Sequence, residues 1–95
     1  MPVTTMSRTL FVHAAGAVFE GNPETVWIYG DFDAWSRLLL EESGFVRFVR
    51  TGTTRLVYAL PTDIDRREPG MFSRAIRRLN SFDYTVVLDA PMPSK

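Results

Sequence analysis

The chain has 95 residues, 45% hydrophobic and 23% charged, which suits one modest globular core and is too apolar for a disordered segment. Eleven basic residues balance eleven acidic ones, which argues against a nucleic-acid coat and against an acidic mimic of DNA. With no cysteine and one histidine, disulfides, thiol nucleophiles, iron–sulfur clusters, zinc–cysteine sites and multi-histidine metal sites are excluded within the chain.

Residues 1–6 lack the basic start and long apolar stretch of a signal peptide. The longest nearly apolar run, residues 10–19, carries His13 and Gly16 and falls far short of the roughly 20 residues that span a bilayer. The expectation is a cytoplasmic protein without membrane contact. It would form one α+β domain over residues 1–95, with loose ends at about 1–6 and 91–95.

The β-rich stretch 9–15 is interrupted at Gly16, resumes at residues 17–20, and closes in a turn at Gly21, Asn22 and Pro23. The glycine is compatible with one long bent strand or with two short paired ones. Residues 25–29 are β-branched or aromatic throughout and form the next strand, ended by Gly30. Asp31 or Asp33 then caps a helix over about 34–43, with Trp35, Leu38 and Leu39 on its inner face and Arg37 paired with Glu41 outside. Gly44 provides its C-terminal cap. Residues 45–50 and 55–60 alternate with period two around residues 51–54, which predicts an antiparallel hairpin. Leu56, Tyr58 and Leu60 face its core side, and Arg55 and Val57 face away.

Residues 62–67 are polar, a loop or a single helical turn. Pro69 fits the first position of a helix reaching about Asn80, with Met71, Phe72, Ala75, Ile76 and Leu79 buried and Arg74, Arg77 and Arg78 opposite. Residues 84–88 form a last strand. From Thr25 onward the order is strand, helix, strand, strand, helix, strand, which is the ferredoxin-like, or split βαβ, plan. The predicted fold is therefore an antiparallel sheet with both helices on one face and an extra N-terminal strand or hairpin. Trp27, Tyr29, Phe48 and Val57 are the candidates for the helix-free face, which a partner, a second copy or the extra strand would cover.

The run Val26-Trp27-Ile28-Tyr29-Gly30-Asp31 resembles the first strand of the small ferredoxin-like subunits of the CRISPR spacer-integration machinery, where an aspartate ends that strand. The resemblance implies the topology alone. That family's later Ser-Val-Phe strand has no counterpart in this chain, and fold does not imply function.

Two carboxylates, Asp31 and Asp33, stand two apart at a strand end, where α/β folds often bind ligands and where oxygen pairs can hold a hard cation. Helix capping explains the same pattern, and a metal would need a third ligand such as Asp89 or Glu20. His13, inside an apolar strand, reads as a structural residue hydrogen-bonded to its neighbours. No nucleophile elbow, phosphate-cradling loop or metalloprotease helix occurs, and no cofactor is expected.

The neutral total hides a polarised chain. Residues 1–45 carry two arginines against six carboxylates, a net of −4, and residues 46–95 carry nine basic against five acidic groups, a net of +4. Arg47, Arg50 and Arg55 on the hairpin and Arg74, Arg77 and Arg78 on the second helix, with Trp27 on the sheet, are the candidate partner-binding residues. The leading expectation is a non-catalytic protein-binding module of the kind that phages and mobile elements use as small inhibitors or accessory factors, anti-CRISPR-type proteins included. A homodimer through the open sheet face is a further expectation. The alternatives are a nucleic-acid-binding domain using the arginine patch, and a small metal-dependent hydrolase using Asp31 and Asp33.

Overall fold

The computed structural model describes residues 8–49 and 55–92, so Arg50, the turn expected at 51–54 and the chain ends at 1–7 and 93–95 lie outside the described residues. Strand β1 (Thr9–Phe19) and strand β2 (Asn22–Gly30) form a long antiparallel hairpin. Its turn is Glu20–Gly21, earlier than the expected Gly21-Asn22-Pro23. Both turn residues have positive φ, 53° and 80°, the geometry that matches the twist of a two-residue hairpin. Residues 9–19 make one strand, with a register shift between Ala15 and Val18 where Gly16 supplies a bulge. At the far end of the hairpin, Gly30 has φ 130°, and a Cβ there would stand 2.7 Å from the Thr9 carbonyl oxygen. Only glycine lets the two backbones come that close.

Helix α1 (Ala34–Glu42) follows, then strand β3 (Val46–Val49), strand β4 (Leu56–Ala59), a single 3₁₀ turn at Ile64–Arg66, helix α2 (Met71–Ser81) and strand β5 (Thr85–Val87). The strands form one sheet in the order β3-β4-β2-β1-β5. Every neighbouring pair is antiparallel except β1 and β5, which are parallel, so the sheet is mixed rather than antiparallel. The N-terminal strand does not sit at an edge. The tight turn zips β1 onto β2 over nearly its whole length, so β1 takes the edge of β2 that a four-stranded arrangement would leave to β5. The last strand pairs with β1 instead.

Both helices pack on the same face. Leu10, Val12, Val26, Ile28, Tyr58 and Leu60 of the sheet side form one buried cluster with Leu39 and Leu40 of α1 and Met71, Ala75 and Leu79 of α2. Each of the larger aliphatic groups contributes about 1.5–3 kcal/mol by leaving water. The period-two reading of β2 and β4 holds: Trp27 and Tyr29 alternate with buried Val26 and Ile28, and Val57 faces away from Leu56 and Tyr58.

The inner face of α1 departs from the helical-spacing expectation. Ser36, Leu39 and Leu40 are buried, whereas Trp35 and Leu38 are 45% and 43% exposed. The Trp35 ring instead meets Phe82, just past the end of α2, at 5.3 Å edge to face. Glu41 does not pair with Arg37; it accepts a 2.6 Å hydrogen bond from the Tyr58 hydroxyl. Pro69 also lies two positions further out than expected, because Gly70 is the N-cap of α2 and Met71 its first residue.

The Tyr58 side chain is fully buried, and its phenol is pushed up to about 12 from 10.0 by burial and by the Glu41 carboxylate beside it. The unfolded chain deprotonates at the lower value, so folding stability should fall as pH rises from 10 toward 12. Urea midpoints over that range should show the fall, and Tyr58→Phe should flatten it. An equally steep fall in the variant would assign the effect to other groups.

Candidate interaction surfaces

The aspartate pair is tied into the fold by Ser36, Tyr84 and Arg8. Asp33 is the N-cap of α1: its Oδ1 accepts from the Ser36 amide at 2.9 Å, and Ser36 Oγ accepts from the Asp33 amide at 3.0 Å. The Tyr84 hydroxyl donates to the same Oδ1 at 2.5 Å. Arg8 spans both carboxylates, with Nη1 on Asp31 Oδ1 at 2.9 Å and Nε on Asp33 Oδ2 at 3.2 Å. Burial alone would raise the Asp33 carboxyl, but the Tyr84 and Ser36 hydrogen bonds and the Arg8 charge hold it at about 2, below its ordinary 3.8. Among the described residues, no three aspartate, glutamate or histidine side chains gather as a metal centre requires. Chemically this corner is a clasp that closes the start of β1, the start of α1 and the end of α2 on one another.

The helix-free sheet face carries Phe11 and His13 from β1, Trp27 and Tyr29 from β2, Val57 and Ala59 from β4, and Phe48 from β3. Phe11 stacks on Tyr29 at 5.4 Å, and Trp27 meets Phe48 edge to face at 6.0 Å. The two pairs have different surroundings. Beyond β5, positive φ at Asp89 turns the chain, and Ala90 donates its amide to the Val12 carbonyl at 2.9 Å. His13 Nδ1 then meets the Ala90 carbonyl at 3.0 Å, and the Tyr29 hydroxyl donates to the Pro91 carbonyl at 2.7 Å. The segment expected to hang loose from residue 91 is therefore pinned at Pro91, and His13 is the hydrogen-bonded strand residue its setting suggests. The Trp27–Phe48 pair is not part of these bonds. It lines a shallow groove of about 190 Å³ with Thr25, Ala59 and Thr62. Strand β3 is the sheet edge on that side and is exposed along its whole length, with Val49 64% exposed.

The predicted arginines do not form one surface. Arg47 stands opposite Tyr58 in the β3–β4 register and so lies toward the helices. Arg55 lines a groove of about 280 Å³ on the open face with Phe11, Tyr29 and Gly30. On α2, Arg74 reaches Glu68 at 3.3 Å, and Arg78 reaches Ser43 Oγ at 3.2 Å and Glu42 at 3.5 Å. Those two guanidiniums tie α2 to the loop before it and to the end of α1. Arg77 is exposed, and Arg50 lies outside the described residues.

Two features had weaker signals in the sequence. Asn22, 3% exposed, donates Nδ2 to the Glu68 carbonyl at 2.8 Å and accepts the Phe72 amide on Oδ1 at 3.0 Å, so a β2 side chain caps α2 across the fold. An Asn-Pro pair reads locally as a turn, and only the missing cap residue at Gly70 hints that another side chain must serve. At the hairpin tip, Phe19 and Ile64 are 66% and 63% exposed on opposite walls of a groove. Compared with protein-family models, curated proteins and solved structures, the chain matches none. Among the described residues, no helix is long and apolar enough to cross a membrane.

Proposed function

We propose that the protein is a non-catalytic interaction module that docks on a partner protein through its helix-free sheet face and occludes a surface of that partner. The observation that carries this reading is the Trp27–Phe48 pair beside the uncovered β3 edge. Aromatic side chains with a buried floor, rimmed by one carboxylate and one guanidinium at Glu24 and Arg67, have the composition of a protein–protein hot spot, and the β3 edge offers backbone pairing to a partner strand. The element order from β2 onward supports treating the fold as a ferredoxin-like plan with β1 inserted. The internal bonding of Arg74 and Arg78 argues for the sheet face over the α2 arginine face.

A second reading has its own observation. The groove lined by Phe11, Tyr29 and Arg55 sets stacked aromatics beside a cation, which is how single-stranded nucleic acids are held. Affinity capture from native lysate by the full chain, with and without nuclease, separates the two. The expected result is a nuclease-insensitive protein partner, lost with Phe48→Glu and with Trp27→Ser while urea unfolding shows a retained fold. Capture that requires nucleic acid, with a salt slope of about 0.7–0.9 per neutralised phosphate and loss in Arg55→Glu, would overturn the protein reading.

A further inference from the structure

The apolar side of the β1–β2 hairpin outruns the helices that cover it. Leu10 and Val12 of β1, with Val26 and Ile28 of β2, lie under α1 and α2. Past the bulge the register resets so that Phe19 pairs with Asn22, which puts Ala17 and Phe19 on that same side as the chain approaches the tip. At the tip, α2 has already begun: its N-cap Gly70 donates its amide to the Glu20 carbonyl at 2.8 Å. What faces Phe19 is the loop before α2, with Ile64 at its 3₁₀ turn. Together Ala17, Phe19, Glu20, Asn22, Glu24, Ile64 and Arg67 line a groove of about 320 Å³. That is within the range of ligand pockets, and its two large apolar walls are mostly in water.

The groove lining carries two carboxylates, Glu20 and Glu24, and one guanidinium, Arg67; Asp63 and Asp65 flank Ile64 in the sequence, where Asp63 accepts the Asp65 amide as cap of the 3₁₀ turn. Arg67 is turned inward, donating Nε to the Pro61 carbonyl at 2.7 Å and Nη1 to the Glu24 carbonyl at 2.9 Å, so it braces the walls. Glu20 is also an unfavourable choice for its position. Its φ of 53° belongs to the first position of the two-residue hairpin turn, which asparagine or glycine fills at lower cost.

We infer that this hairpin-tip groove is a second docking site, taking an apolar side chain of a partner protein segment that is flanked by lysine or arginine. The apolar walls bury the side chain, and the Glu20 and Glu24 carboxylates beside them favour cationic neighbours and disfavour anionic ones. The same carboxylates argue against an anionic membrane surface as the occupant, even though Val18 and Phe19 project from the tip. This groove shares Glu24 and Arg67 with the Trp27–Phe48 groove, but its apolar walls Phe19 and Ile64 are its own, so the Phe19→Ser with Ile64→Ser variant tests it apart from that face.

The test is selection of a random dodecapeptide display library on the full chain. The expected result is enrichment of peptides carrying leucine, isoleucine or phenylalanine beside lysine or arginine. Their binding should weaken at least about tenfold in Phe19→Ser with Ile64→Ser, and comparably in Glu20→Lys with Glu24→Lys. Both pairs of positions are exposed on the surface, and urea unfolding of each variant verifies the fold. Trp27→Ser should leave peptide binding unchanged. Failure to select any peptide, enrichment without basic residues, or binding indifferent to the Phe19 and Ile64 changes would overturn the proposal. So would binding to vesicles of phosphatidylcholine with phosphatidylserine, or a concentration-dependent dimer abolished by Phe19→Ser, each of which names a different occupant.

Discussion

Asn22→Ala should destabilise the protein by about 2–3 kcal/mol, a drop of roughly 10–20 °C in Tm for a domain of this size. The amide side chain makes two hydrogen bonds, accepting from the Phe72 amide in the first turn of α2 and donating from its Nδ2 to the Glu68 carbonyl. Alanine leaves the Phe72 amide without that partner beside a site that is 3% exposed, where an unsatisfied group costs about 1–3 kcal/mol, while the Glu68 carbonyl keeps the bond from the Met71 amide at 3.1 Å. The helix also loses its only side-chain cap, because Gly70 has none to offer. Urea unfolding measures the total. Amide exchange at Phe72 should accelerate beyond the global change if the capping account is right. A loss below about 0.5 kcal/mol would mean that water replaces the side chain without penalty.

The second large effect is at Asp33. Asp33→Ala removes the N-cap of α1, the acceptor for Tyr84 and one of the two carboxylates held by Arg8, at a cost of about 2 kcal/mol. The effect has a pH signature. The carboxyl is held at about 2 in the folded protein against 3.8 as the ordinary value, so its contribution is complete above the unfolded value and disappears as pH falls from about 4 through 2. The shift corresponds to about 2 kcal/mol by linkage, and partial exposure of the ion pair brings the expected figure to about 1–2 kcal/mol. Stability of the native chain and of Asp33→Asn should differ at neutral pH and converge near pH 2. Parallel curves across that range would show that Asp33 is not held below its ordinary value. Since Arg8, Asp33 and Tyr84 act as one clasp, Tyr84→Phe and Asp33→Ala should be less than additive.

The sequence by itself determined the local elements and the faces of the strands and of α2. Alternation in residues 25–29 and 55–60 records which side chains share a sheet face, because successive side chains on a strand point to opposite sides, although in β4 Val57 and Ala59 on the helix-free face are buried as well. The aspartate cap, the period of α2 and the membership of Trp27, Tyr29, Phe48 and Val57 on the open face followed from that same short-range geometry. Only the tertiary structure decided where β1 lies, because strand order depends on which backbone edge is filled first and the hydrophobic pattern is the same for an edge and an interior strand. It also decided which turn of α1 is buried. Trp35, Leu38 and Leu39 fit a helical stripe, yet the plane shared with the sheet and α2 selects Ser36, Leu39 and Leu40. The functional surfaces were hardest to read for the same reason. Arg47 and Arg55, eight residues apart, fall on opposite sides of the sheet, and Phe19 and Ile64, 45 residues apart, come to face each other across a groove. Such proximities arise from chain folding over long sequence distances, and no local period encodes them.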